Sequence, residues 1–350
     1  MVKRKVRKAG GKFVAGSRAC VDWALPALAL FTFVTSWAGV YPPALVERWY
    51  ARGVFPVISG FAGKLADAVS FSWLDVAVPL GLVSALLLIC KRKWRWLVNL
   101  ISVLYLIFFW SWALNYHRQP LTSKLELDSA KTKPDAMAAF TMHAAAEINR
   151  LYTEQQRLPY DEAGTREEAR RRVEHVVQII DERDWEAAHR IKTSWMCNPW
   201  FHAAGIEGMF NPFGHEPIIS NTILDIERPF VMAHELAHVR GYPDEGDANV
   251  IAAFATLVSD SPMFQYSGWL SLWLYLRNRE VDKLLNAGPR ADLERIFKRA
   301  RAEQIGWIND LQRVALDWFL KANSVEQGVR SYSRVVLLTA ATEPHWDRFR

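Results

Sequence analysis

Residues 231–250 read VMAHELAHVRGYPDEGDANV, and the organisation of the chain is read outward from them. His234, Glu235, Leu236, Ala237 and His238 form an HExxH pattern. Residues four apart lie on one face of a helix, so both imidazoles can reach a single metal ion. Glu235 stands beside the first histidine, close enough to take a proton from a water that the metal acidifies, without being a ligand itself. Phe230, Val231, Met232 and Ala233 give the apolar approach that a buried helix requires, and Gly241 follows at a helix-stopping position. A catalytic zinc takes three protein ligands and leaves one position open. Two adjacent carboxylates compete for the third place. Asp244 completes an HExxHxxGxxD spacing, in which the glycine turn swings a ligand back onto the metal. Glu245 opens EGDANVIAAFATL, residues 245–257, which reads as a second buried helix. That helix favours Glu245 as the ligand and leaves Asp244 as its N-cap.

Around this centre, residues 117–350 read as a mostly helical domain with a little sheet. An amphipathic helix is predicted over 134–157 and a highly charged one over 166–189. Further helices are predicted over 228–240, 245–260, 264–285, 290–304 and 306–322. Between them, GMFNPFG and EPIISNTI are β-type runs that predict a hairpin with Gly214 and His215 in its turn. The run 211–222 precedes the metal helix as an edge strand on which an extended peptide could pair, with Ile219 in that edge. GWLSLWLYL, 268–276, is apolar all round and too short to span a bilayer, which predicts core or a helix against the membrane.

The first third of the chain has a different character. Lys3, Arg4, Lys5, Arg7, Lys8, Lys12 and Arg18 make a basic segment over 1–20. Three apolar runs follow, 21–41, 74–90 and 96–116, each close to the length that crosses a ~30 Å hydrocarbon core. Lys91, Arg92, Lys93 and Arg95 lie between the second and third. The positive-inside tendency puts that turn and the N-terminus in the cytoplasm, and everything after Tyr116 beyond the outer face. The segment 42–73 is expected as an external loop, with 54–62 resting on the membrane. The expectation is a multi-pass cell-membrane protein: membrane region 21–116, extracytoplasmic domain 117–350.

Composition agrees with this division. Hydrophobic residues make up 51% of the chain, high for a soluble protein, and many of the 16 Trp sit at the ends of apolar runs, as interfaces favour. The basic residues behind the net charge of +6 cluster beside those runs, so the lipid bilayer is the expected partner and nucleic acid, for which no recognisable module is seen, is not expected. Cys20, Cys90 and Cys197 make neither a disulfide framework nor a cysteine metal site. Oligomeric state is not encoded in these patterns.

The block Glu245-Gly246-Asp247-Ala248-Asn249 resembles the ExxA[D/N] signature that opens the second metal helix of glutamate-type zincins. There Asn249, one turn on, would support the histidines. HELAHVRG followed by EGDAN resembles the membrane-anchored bacterial proteins of domain-of-unknown-function family 3810, similar in turn to zincin peptidases with a glutamate third ligand. GMFNPFGHEPIISN, SDSPMFQYSGWLSLWLYL and FLKANSVEQGVRSYSRVV extend the likeness over most of the chain. One departure is Asp247, where a glutamate is expected. The resemblance implies a zincin-like α+β domain behind transmembrane helices, with Zn2+ on His234, His238 and Glu245; it brings no substrate.

The function expected is a membrane-anchored zinc metallopeptidase. It would cleave a protein or peptide at the outer face of the cytoplasmic membrane, with Glu235 as general base. The alternative is a non-catalytic zinc-binding sensor or assembly factor, to which Glu235 would be dispensable. Peptide hydrolysis also needs a donor for the developing oxyanion. Tyr332 is the favourite, with Arg330, Tyr266 and His215 as candidates; His215 is expected to be solvated in an exposed turn.

Overall fold

The structure, a computed structural model, describes residues 11–322 and 334–350 except 158, 184, 186, 188 and 189. It is mainly helical. In chain order come α1 (Gly11–Trp37), α2 (Pro43–Leu45), a π-helical stretch (Val46–Val54), α3 (Phe55–Asp67), α4 (Leu74–Cys90) and α5 (Trp94–Ser111). Then follow α6 (Pro134–Gln155), α7 (Glu162–Asp181), α8 (Asn198–Ala204), the strands β1 (Gly208–Asn211) and β2 (Glu216–Ile219), α9 (Arg228–Val239) and α10 (Glu245–Leu257). The chain closes with α11 (Pro262–Leu276), α12 (Ala287–Glu303), α13 (Gly306–Ala322) and α14 (Arg334–Thr342). The charged helix stops at Asp181, eight residues before the expected end, because Glu182 turns into the left-handed region at φ 51.

The centre of the molecule is α10. Every residue from Gly246 to Leu257 is buried, and α7, α9, α11 and α14 pack around it. Its alanines at 248, 252, 253 and 255 let those helices approach closely, while Phe254 stacks on Phe349 at 4.7 Å. Asp244 caps it by accepting a hydrogen bond from the Asp247 amide at 3.0 Å. Beside it, α9 ends in a glycine-terminated turn. The Tyr242 amide donates to the Ala237 carbonyl and the Gly241 amide to that of His238, with Gly241 at φ 82.

Residues 42–73 depart most from the sequence reading. Residues 43–67 are helical where an irregular loop was expected, and one face of them belongs to the core. Val46, Tyr50 and Phe55 join the same apolar cluster as α9 and α10. A Cβ at residue 241 would stand 2.7 Å from the Phe55 ring, so the left-handed turn and the close approach both demand glycine there. The outer face of α3 still carries exposed Val57 and Phe61.

Helix α4 has the expected bounds, whereas α1 ends at Trp37 and α5 at Ser111. Residues 113–117 form a buried 3-10 turn in place of the last turn of a span. Helix α5 is long and apolar enough to cross a membrane; the apolar parts of α1 and α4, Trp23–Trp37 and Leu74–Cys90, are shorter.

A buried ionic cluster ties these parts together. Arg118 donates to both Glu47 oxygens at 2.9 Å, to Asp181 at 3.1 Å and to the Gly241 carbonyl at 2.9 Å. Lys124 bridges Glu47 at 2.6 Å and Asp181 at 2.7 Å, and the Tyr242 hydroxyl donates to Asp181 at 2.7 Å. Two cations thus meet two carboxylates. Burial pushes both carboxyls up, but Arg118 and Lys124 outweigh it and hold Glu47 and Asp181 down at about 2. Because the folded values lie below the unfolded ones, this stabilisation is complete above the unfolded carboxylate range and is lost as pH falls through about 2. Glu47→Gln leaves two cations facing Asp181 alone. It should cost about 3–5 kcal/mol and flatten the acid limb of a melting-temperature profile recorded in detergent. An unchanged melting temperature would remove the cluster from its structural role.

Candidate metal centre

Helix α9 presents His234 and His238 on one face, one turn apart, and the first residue of α10 brings Glu245 against them. His234 Nε2 lies 3.1 Å from Glu245 Oε2 and 3.1 Å from His238 Nε2; His238 Nε2 lies 3.6 Å from Glu245 Oε2. One ligand atom from each residue falls within 4.8 Å of the others, so the three could hold a metal ion. Asp244, the alternative third ligand, is committed to capping α10.

The tautomer of His238 is fixed by its surroundings. Nδ1 donates to the Tyr242 carbonyl at 2.7 Å, which leaves the Nε2 lone pair for a cation. The backbone around it is held in turn: Trp112 Nε1 donates to the His238 carbonyl at 3.2 Å and Ser59 to that of Val239. His234 Nδ1 is buried without a partner. Burial works against a charge on His238, but the hydrogen bond and field of Glu245 lift it to about 9. Burial also penalises the Glu245 carboxylate, yet the two imidazoles hold it well below the usual range.

Glu235 points away from the three ligands' own contacts. It is buried, its Oε2 has no partner, and burial raises it to about 7 against the pull of His234 and His238. Its carboxylate rests on β1, and a Cβ at residue 208 would overlap it. Glycine at 208 is therefore the cradle of Glu235.

A cavity of about 880 Å³ opens over the site, walled by α5, β1, α11 and α13, and all four HExxH-region side chains line it: His234, Glu235, His238 and Glu245. Tyr116 and Tyr275 also line it. Burial raises both phenols well above their ordinary value, with Glu245 adding to it, so both remain protonated donors at neutral pH. Asn249 donates to the Tyr275 hydroxyl at 3.4 Å. Tyr116 stood in the sequence as the end of a span and Tyr275 as part of an apolar helix. The polar tip of a tyrosine inside an apolar run was the available signal.

The other donor candidates are distributed differently. Tyr266 is buried away from the cavity, donating to Asp292 at 2.8 Å. His215 does occupy the hairpin turn, at φ 48, but it is buried, not solvated: it packs between Phe55 and Phe210, and burial lowers it to about 4. Tyr332 and Arg330 lie outside the described residues. Ile219 is not at an edge, since its amide donates to the Lys192 carbonyl at 2.9 Å while the strand pairs with β1 on its other side. Gly208 pairs with Ile219 and Phe210 with Pro217. The groups of Ile219 and Pro217 point toward Lys192, so by strand alternation those of Gly208 and Phe210 point outward along the cavity. Among the described residues, β1 is the strand of the hairpin with an unpaired edge.

The model of the family described as "Protein of unknown function (DUF3810)" matches residues 50–339, and the chain belongs to that family. No curated protein and no solved structure matches it. The matched region begins at Tyr50 and so includes α3, α4 and α5 with the metal-site helices.

Gly208→Ala tests the cradle. The three converging donors are untouched, so metal content measured by atomic emission should stay at the wild-type level, while any activity that depends on Glu235 should fall by about 10²-fold or more. Loss of metal together with activity would show instead that the substitution deforms the whole site.

Proposed function

We propose that the chain is a membrane-anchored zinc metallopeptidase with a zincin-like site. The observation that carries the reading is the convergence of His234, His238 and Glu245 donor atoms within 4.8 Å, beside a buried carboxylate that is not part of the set. Two imidazoles and one carboxylate suit zinc, and three protein donors leave a position open. A structural site needs no fourth, unpartnered acid next to it; Glu235 is that acid.

When bound, zinc supplies a Lewis acid and lowers the pKa of water. The remaining work falls to the protein. Glu235, with its proton affinity raised by burial, accepts a proton on the oxygen that lacks a partner and passes it to the leaving amine. Tyr275, positioned by Asn249, and Tyr116 are the hydroxyl donors available for a developing oxyanion. The outward main-chain groups of Gly208 and Phe210 can pair with an extended peptide, and Trp112, Phe210, Phe230 and Leu270 give its side chains an apolar wall.

The membrane reading places α1, α4 and α5 across the cytoplasmic membrane and the remainder beyond its outer face. It is supported by the exposed apolar surface of all three helices, including Phe31, Leu82 and Ile101, and by exposed Lys91, Arg92, Lys93 and Arg95 at the turn between the last two.

The decisive measurement is zinc stoichiometry on purified wild type, His238→Ala and Glu235→Gln, each followed by incubation with β-casein. Wild type and Glu235→Gln should hold one zinc per chain, His238→Ala none, and wild type alone should cleave. Three equally empty proteins in zinc-replete buffer would end the metal reading. A loaded wild type that shares its behaviour with Glu235→Gln would leave a metal site without catalysis.

A further inference from the structure

Helix α13 has two apolar faces. One looks into the molecule: Leu316 and Phe319 line the cavity and Leu320 is fully buried. The other looks out, with Trp307 70% exposed, Leu311 55%, Val314 67% and Trp318 71%. These four recur at i, i+4, i+7 and i+11, a narrow stripe diametrically opposite the cavity-lining residues. Stripes of this size on a soluble surface are costly, and a pair of Trp at their ends is the pattern of a helix seated at a membrane interface.

The position of α13 fits that occupant. Its Phe319 packs on Phe108 at 5.9 Å and on Tyr116 at 6.1 Å. Phe108 lies one turn from the end of α5, the helix long and apolar enough to cross a membrane. Helix α13 is thus fastened to the point where that helix would leave the hydrocarbon. Phe213, at the tip of the β-hairpin and 48% exposed, packs on the same Phe108 at 6.3 Å and continues the apolar surface.

We infer that the Trp307–Trp318 stripe of α13 docks on the phospholipid bilayer at the level where α5 emerges, so that this one helix forms both the lipid-facing anchor and a wall of the metal cavity. The inference rests on the membrane placement of α5 proposed above. A helix is about 10 Å across, so a cavity walled by α13 lies within one helix diameter of the headgroups. The substrate class that reaches such a cavity is the membrane-proximal stretch of a membrane-anchored polypeptide.

The test uses the full chain with Cys20, Cys90 and Cys197 replaced by serine, reconstituted in phosphatidylcholine vesicles. An environment-sensitive nitrobenzoxadiazole label is placed in turn at Leu311→Cys, Trp318→Cys, Ile101→Cys on α5 and Asp347→Cys, whose native side chain is highly exposed. Labels at 311 and 318 should emit to the blue of 347 and be quenched most by lipid brominated near the headgroup. The label at 101 should be quenched most by lipid brominated deep in the chain. If 101 is quenched and 311 and 318 behave as 347 does, the docking is overturned and the membrane reading of α5 survives. If 311 and 318 shift to the blue but no brominated lipid quenches them, protein covers the stripe, a second copy included, and the bilayer is excluded as its occupant. If 101 is unquenched as well, both readings fall together. Zinc content measured on the same samples reports on the metal centre independently of all four labels.

Discussion

The hydrogen bond from His238 Nδ1 to the Tyr242 carbonyl sets the geometry of everything around the site. An imidazole engaged at one nitrogen presents the other in a fixed tautomer and orientation, and for His238 the engaging group is backbone, placed by the turn that ends α9. That turn exists because residue 241 is glycine, free to adopt φ 82 and to lie against Phe55. Its carbonyl is held by Arg118, and the ring of Tyr242 lies under the same guanidinium at 4.2 Å. The chain of support therefore runs from one ring nitrogen through a turn to a buried cluster of four charges.

That cluster draws on distant parts of the sequence. Glu47 comes from the π-helical stretch, Arg118 and Lys124 from the segment after α5, and Asp181 from the end of α7. Exposed ion pairs of this kind contribute little, but here all four side chains are nearly inaccessible to water, and removing one partner strands the others. The arrangement specifies how the apolar N-terminal helices meet the metal-site helices. Trp112 and Ser59 repeat the connection through the backbone carbonyls of His238 and Val239. The candidate metal centre and the helix that could cross a membrane are consequently one packed body in this region, and the family match beginning at residue 50 covers both.

Chemically, the site separates two kinds of carboxylate by environment. Glu245 sits among imidazoles, which hold its carboxylate low, whereas Glu235 is buried against Gly208 and is pushed up to about 7. Glu235 and Glu245 thus acquire opposite tendencies from burial and neighbours alone. This difference, more than the HExxH letters, is what would suit the arrangement to proton transfer beside a metal, were one held there.

Local pattern was enough for the two helices of the candidate site and for the donor set, whereas α3 and α8 were missed and the helix expected over 264–285 ends at Leu276. HExxH fixes its two histidines by helical period, and the apolar run after Glu245 marks a buried helix, so α9, α10 and the three converging residues were legible at a separation of only eleven residues. The hairpin was legible for the same reason, from β-type runs flanking Gly214. What lay beyond the sequence were contacts between residues far apart in it. The apolar residues of 42–73 give no sign of whether lipid or protein will cover them, and only packing decided that Phe55 meets Gly241. His215 reads as a turn residue and is one, but its burial depends on Phe55, 160 positions away. Which strand of the hairpin pairs with Lys192 was decided by packing, as was which tyrosines line the cavity, through the folding of α11 and of the segment after α5 over α9. Periodicity encodes which side of an element is apolar; it does not encode what that side will touch, because that depends on long-range packing that no window of sequence contains.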